Sequence, residues 1–180
     1  MNKVSIKRNV AGFTIVELLI VIVVIGVLAA ITVAAYSGMQ NRARDAQRVQ
    51  DIRTISKALE LYKTQTGDYP VAVGSTGQGG WEISVPTASN SDFLSILRTS
   101  GVISKVPVDP INTGDFATSG SKFYSYYRYP AGYVGCDASR GPYYILAART
   151  GESGSSSGIP TFTCGSYGAM GWISTGSYTN

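Results

Sequence analysis

The chain contains no histidine in its 180 residues. That removes the Ser-His-Asp triad, the Cys-His pair and most zinc sites together. Three groups of residues remain whose types and spacing could carry chemistry. A single acid, Glu17, sits inside an apolar run. Two cysteines, Cys136 and Cys164, lie far apart with no CxxC spacing. The string Asp109-Pro110-Ile111-Asn112-Thr113-Gly114-Asp115 gathers oxygen donors in one turn. None of these joins a nucleophile to a base on a rigid element, so no catalytic residue is assigned and an enzyme is not expected.

Each group has two readings. A carboxylate well inside a lipid-facing helix costs on the order of 2–3 kcal/mol, and such residues usually serve a named partner. Alternatively, Glu17 snorkels to the interface or is protonated. The cysteine pair fits a structural disulfide in an oxidising, extracytoplasmic setting, contributing roughly 3–4 kcal/mol by chain entropy. Two buried free thiols are the other reading. The Asp109–Asp115 turn suggests a calcium site, yet the EF-hand spacing is absent and Asp/Asn/Gly turns arise for backbone reasons. No metal ligand is assigned.

The elements that position these residues begin with a run from Phe13 to Tyr36, FTIVELLIVIVVIGVLAAITVAAY. As a helix it is about 36 Å long, which suits a membrane span better than the core of a signal peptide. A signal-peptide reading would place its small-residue cleavage site at Ala34-Ala35. The net charge of +4 weakens on inspection: three of the fifteen basic residues, Lys3, Lys7 and Arg8, precede Gly12. Without them twelve cations face eleven acids, a balance that gives no strong reason to track phosphates.

Gly12-Phe13-Thr14-Ile15-Val16-Glu17-Leu18, after a short basic leader, resembles the processing site of the type IV prepilin and type II secretion pseudopilin family. The likeness continues through Ile25-Gly26-Val27-Leu28-Ala29-Ala30-Ile31. It implies cleavage after Gly12 by a membrane prepilin peptidase, N-methylation of Phe13, and an assembly role for Glu17. The new ammonium of Phe13 would pair with Glu17 of a neighbouring copy, a contact better suited to fixing register than to adding net stability. The partners implied are further copies of the chain in a helical polymer, the peptidase, an inner-membrane assembly platform with a motor ATPase, and the membrane before assembly. In many relatives the helix melts beyond the position of Gly26, helped by a proline. Ala34 stands in that proline's place here, so a straighter helix is the alternative. Some pseudopilins also hold calcium in their C-terminal region.

The organisation expected is a leader at 1–12, a transmembrane and assembly helix at 13–36, an amphipathic half of the same helix at 37–66, and an extracytoplasmic domain at 67–180. Val49, Ile52, Ile55, Leu59 and Tyr62 recur at three- and four-residue spacing and make one core-facing stripe. Gly67 followed by Pro70 stops the helix near Thr64–Thr66. The segment Ala58–Lys63 followed by Gly67-Asp68-Tyr69-Pro70 resembles the helix exit of major pseudopilins.

Beyond it, Val71 to Asn90 reads as a surface loop. A short helix follows, capped near Ser91, carrying Phe93, Leu94, Ile96 and Leu97 and ending at Gly101. Strands are expected over Lys122–Tyr129, Tyr143–Arg149, Thr161–Gly165 and Gly171–Ser174. The fold class is therefore α+β: a long N-terminal α-helix, transmembrane then amphipathic, packed against a small antiparallel β-sheet. In the pilin family a pair such as Cys136 and Cys164 delimits an exposed, variable loop region, here including Ser153–Gly158.

Lys3, Lys7 and Arg8 favour a cytoplasmic N-terminus, although Arg42, Arg44 and Arg48 follow the span closely. The precursor is expected as a single-pass membrane protein and the mature form as a surface filament. The leading reading is a type IV pilus subunit serving adhesion, motility or DNA uptake. The alternatives are a pseudopilin of a type II secretion or competence system, and a minor tip pilin that binds DNA or a host surface through its tyrosines, Arg128, Arg140 and Arg149. The tyrosines are better explained as half-buried strand residues.

Overall fold

The structure is a computed structural model that describes residues 12–73, 80–88, 91–149, 151–152, 159, 161–164 and 173–179, excepting the side chains of 33–35. The leader's first eleven residues, Ser153–Gly158 and parts of the expected loop and strand segments lie outside the described residues. One helix, α1, runs unbroken over Ile15–Thr66. It continues through Gly26 and Gly38, where an added Cβ would meet nothing within 4 Å. In this structure the helix is thus neither melted nor interrupted after Gly26.

The chain divides into two compact units, residues 1–40 and 41–180. In the first, aliphatic side chains occupy every face of the helix, and from Val16 to Ile31 they are 51–66% exposed. By length and composition this helix can cross a membrane. In the second unit the expected stripe is the core: Ile52, Ile55 and Leu59 are fully buried, and Val49 and Tyr62 pack at its margin. The helix ends where Gly67 takes φ +88° and its N–H donates to the Lys63 carbonyl at 2.8 Å, a conformation that suits glycine.

The helix packs on a four-stranded antiparallel meander in chain order, formed by β1 (Glu82–Ile83), β2 (Tyr124–Tyr129), β3 (Tyr143–Ala148) and β4 (Ile173–Tyr178). Tyr126 pairs with Leu146, and Leu146 with Thr175, which fixes the register. Alternation then sorts the side chains. Tyr124, Tyr126, Tyr144, Leu146, Ala148 and Ile173 face α1 and share its core. Trp81, Tyr129, Tyr143, Ile145 and Tyr178 make a second, aromatic cluster on the opposite face. Most of the tyrosines therefore serve packing: Tyr143, for example, stacks on Tyr129 at 5.1 Å between centroids.

Four local expectations are corrected. The stretch 71–90 is not all surface loop: Trp81, Glu82, Ile83 and Ser84 are buried, and two of them form β1. The short helix, α2, covers Ser95–Thr99 and has no side-chain cap. Leu94 precedes it in the left-handed region, and its N–H donates to buried Glu82 at 2.5 Å. Glu82 therefore holds the turn that Ser91 was expected to cap. The end of α2 is as expected: Gly101 has φ +76°, the N–H of Gly101 donates to Arg98, and that of Val102 to Leu97. Residues 161–163 form no strand, and the last strand lies further on, at Ile173–Tyr178. Phe162 instead lies over Gly176, where a Cβ would come within 2.2 Å of the Tyr144 carbonyl oxygen. Only glycine lets that strand approach so closely.

Candidate assembly site

Glu17 is held by the start of its own helix. Thr14 is the residue before α1, and its N–H and Oγ1 both donate to Glu17 Oε2, at 2.9 and 2.8 Å. The Glu17 N–H donates back to Thr14 Oγ1 at 3.2 Å. This is a reciprocal capping box, with the acid three residues beyond its threonine partner. Sequence reading missed it, although Thr14-x-x-Glu17 ahead of an apolar run was the available signal. Phe13, one residue earlier, is 85% exposed. Among the described residues no cation approaches Glu17.

The second charged centre lies in the other unit and was not foreseen. Arg48 is completely buried. Its Nε donates to Asp109 Oδ2 at 2.7 Å, Nη1 to Asp45 Oδ1 at 2.8 Å, and Nη2 to Glu152 Oε1 at 3.2 Å. Arg44 adds two bonds to Glu152, at 2.7 and 2.6 Å. Both carboxylate oxygens of Asp45 accept the Glu152 N–H. Burial opposes the charge on Arg48, but its bonds to Asp109, Asp45 and Glu152 outweigh that and raise the guanidinium pKa. The bond from Arg44 lowers the Glu152 pKa against its own partial burial, with Arg48 adding to the effect. Arg44 and Arg48, which cloud the orientation signal in the sequence, are thus neutralised by acids of the folded domain.

The remaining candidates have structural partners. Asp109 Oδ1 also accepts the N–H groups of Ile111 and Asn112, at 2.9 and 3.3 Å. Asp115 Oδ1 accepts those of Ala117 and Thr118; the Thr118 side chain first, then these two amides, lower its pKa. A cation near Asp109 would have to compete with Arg48. Among the described residues no group of three or more Cys, Asp or Glu side chains is arranged to hold a metal. Arg128 pairs with Asp68, Arg140 stacks over Tyr178 at 4.0 Å, and Arg149 donates to the Phe116 carbonyl at 3.1 Å. Cys136 and Cys164 are joined as a disulfide across 28 residues, and both adjoin the outer aromatic cluster.

Comparison with known proteins bears on these geometries. The prokaryotic N-terminal methylation motif matches residues 7–33, the stretch that contains Gly12, Phe13 and Glu17. Over 104 residues the chain is 34% identical to the type II secretion system core protein G of Aeromonas hydrophila, spanning 58% of this chain and 69% of that protein. The chain belongs to the type IV pilin and pseudopilin family. The core protein G of Pseudomonas aeruginosa is 31% identical over 58% of this chain and 70% of its own length. That of Escherichia coli is 33% identical over 55% and 65%. No solved structure gives a significant match. As a family member the chain is a structural subunit that polymerises with itself. These relatives favour the pseudopilin alternative over the leading pilus reading.

Proposed function

We propose that the chain is a pseudopilin-type filament subunit, cleaved after Gly12 and polymerised through the first half of α1. The likeness to core protein G over more than half the chain carries this reading. The methylation-motif match supports the cleavage position. Removal of the leader creates an α-ammonium on Phe13 at the mouth of an apolar helix. Glu17 already receives Thr14 through Oε2, and in the filament it accepts the ammonium of a neighbouring copy. The aliphatic side chains around the helix then supply the packing, and the charge pair sets the axial step. Non-closing, head-to-tail contacts of this kind extend into a fibre.

In this reading the precursor spans the membrane once with its N-terminus in the cytoplasm, where peptidase and motor platform act, and residues 41–180 fold outside. The disulfide supports an oxidising exterior. Mass spectrometry of material sheared from the cell surface tests the proposal. The expected mature chain begins at N-methylated Phe13; a chain beginning at Met1 or beyond Tyr36 would sink it. A deletion strain separates the two filament types: lost protein secretion with intact surface pili supports the pseudopilin, and lost pili with normal secretion supports the pilus.

A further inference from the structure

The domain of residues 41–180 leaves two apolar patches exposed, one beside α1 and one between β2 and β3. A groove of about 270 Å³ runs beside α1, lined by Thr54, Lys57, Ala58, Leu61, Val102 and Ile103. Leu61 is 47% exposed there, although it sits one turn from the fully buried core. The connection between β2 and β3 presents a second apolar patch: Tyr133 is 48% exposed and Val134 37%. Both are held rigidly. Tyr133 stacks on buried Tyr129 at 5.2 Å, Val134 takes the left-handed region with φ 50°, and Cys136 anchors the connection through its disulfide. A β-branched residue in that region is strained, and such strain persists only where the surroundings fix it.

Charge selects between the exposed apolar patches. Val71 and Val73 lie near Asp68, which is paired with Arg128, and Val108 and Ile111 flank Asp109, which is paired with Arg48. The β2–β3 connection carries Asp137, whose Oδ1 accepts the N–H and Oγ of Ser139; Arg140 acts on it at longer range, but its carboxylate makes no salt bridge among the described residues. Lys57 in the groove is exposed and likewise without an acidic partner among them.

We propose that the groove beside α1 receives the β2–β3 connection of a second copy, with Tyr133 and Val134 against Leu61, Val102 and Ile103, and Asp137 against Lys57. The proposal rests on the filament reading above and names a contact between globular domains within it. Such a contact joins two different patches, as a fibre requires, and its charge pair sets orientation more than affinity. It also accounts for an exposed leucine and an exposed tyrosine-valine pair in one small domain.

The test uses the full chain in its own host, with sheared filaments quantified for wild type, Lys57→Glu, Asp137→Lys and the double exchange. Both residues are exposed, and unchanged thermal melting checks that each variant folds. Each single reversal is expected to cut filament yield roughly tenfold by placing like charges together, and the double exchange to restore it. Carbodiimide treatment of filaments mixed from two isotopic labels is expected to give a Lys57–Asp137 cross-link between copies. Wild-type yields from both single variants, or losses that the double exchange does not repair, overturn the contact while leaving the filament reading intact. Absence of any wild-type polymer overturns both.

Discussion

From Ile15 to Ile31 the large aliphatic side chains of α1 are 51–85% exposed, whereas Ile52, Ile55 and Leu59 further along the same helix are completely buried. The residue types are similar in the two stretches; their angular distribution is not. Around the first half they occupy every face, so no single protein surface can cover them, and only lipid or a ring of neighbours will. In the second half they fall on one stripe, which one sheet covers. The charges differ in the same sense. Arg48 is buried with three acids of its own chain, while among the described residues Glu17 has only the amide and hydroxyl of Thr14. Among the described residues, the second half of the helix is closed by its own domain, whereas the first has neither a covering surface nor a counter-ion for Glu17.

The sharpest way to break this contrast is Glu17→Ala. Filament in the sheared fraction is expected to vanish, while membrane insertion and the thermal melting of the domain stay as in wild type. Normal filaments from this variant would remove the proposed register contact. Thr14→Ala refines the point: it removes the capping partner, costs about 1 kcal/mol of local helix stability, and leaves the carboxylate in place. Filaments should therefore survive it.

Arg48→Ala is the mirror experiment in the second half. It strands Asp45 and Asp109 beside an empty volume and leaves Glu152 to Arg44 alone, and breaking a buried pair from one side costs about 3–5 kcal/mol. Thermal unfolding of the full chain in detergent is expected to report this as a large drop in Tm. Replacing Arg48 and Asp109 together by Met and Leu should recover part of the loss, because a buried charge left alone is worse than none, while Asp45 keeps the Glu152 N–H but still loses its guanidinium partner. A small effect of Arg48→Ala would mean that water reaches the cluster freely. Cys136→Ser with Cys164→Ser ranks next, at roughly 2–4 kcal/mol, read by melting with and without reductant. It is expected to loosen the outer aromatic cluster and leave insertion untouched.

How far the sequence revealed this arrangement follows from the range of the interactions. The stripe at Val49, Ile52, Ile55, Leu59 and Tyr62 was readable because helical spacing is a local property, and so was the stop at Gly67. Strands β2 and β3 stood out through their tyrosines and aliphatics. Strand β4 was foreseen only at its start, Ile173-Ser174, because Thr175-Gly176-Ser177-Tyr178 has few apolar residues, and its glycine is needed only because Tyr144 and Phe162 approach it. Two-residue β1 lies within glycine-rich sequence and has no period to detect. Glu17 drew attention at once, as an acid in an apolar run. Arg48 did not, because its partners Asp109 and Glu152 lie 61 and 104 residues away, and an arginine beside Asp45 and Asp51 reads as a solvated face.

The smallest predicted effect is in acid, and it bears on whether the second half of α1 is closed by charge as well as by packing. Arg44 and Arg48 hold Glu152 below the usual carboxylate range, so its contribution is present above the unfolded pKa and is lost as pH falls through the folded value. Asp51 works the other way. Burial raises its pKa, the bond from Tyr124 opposes this, and the charge of Asp109 adds to the rise, so its protonation at low pH favours the folded state. Glu152→Gln is therefore expected to flatten the decline in Tm between about pH 5 and pH 3, an effect of up to about 1 kcal/mol. Asp51→Asn should steepen that decline by removing the opposing contribution. If both variants titrate as the wild type does, the cluster is held by shape alone, and the contrast between the two halves reduces to the distribution of aliphatic side chains.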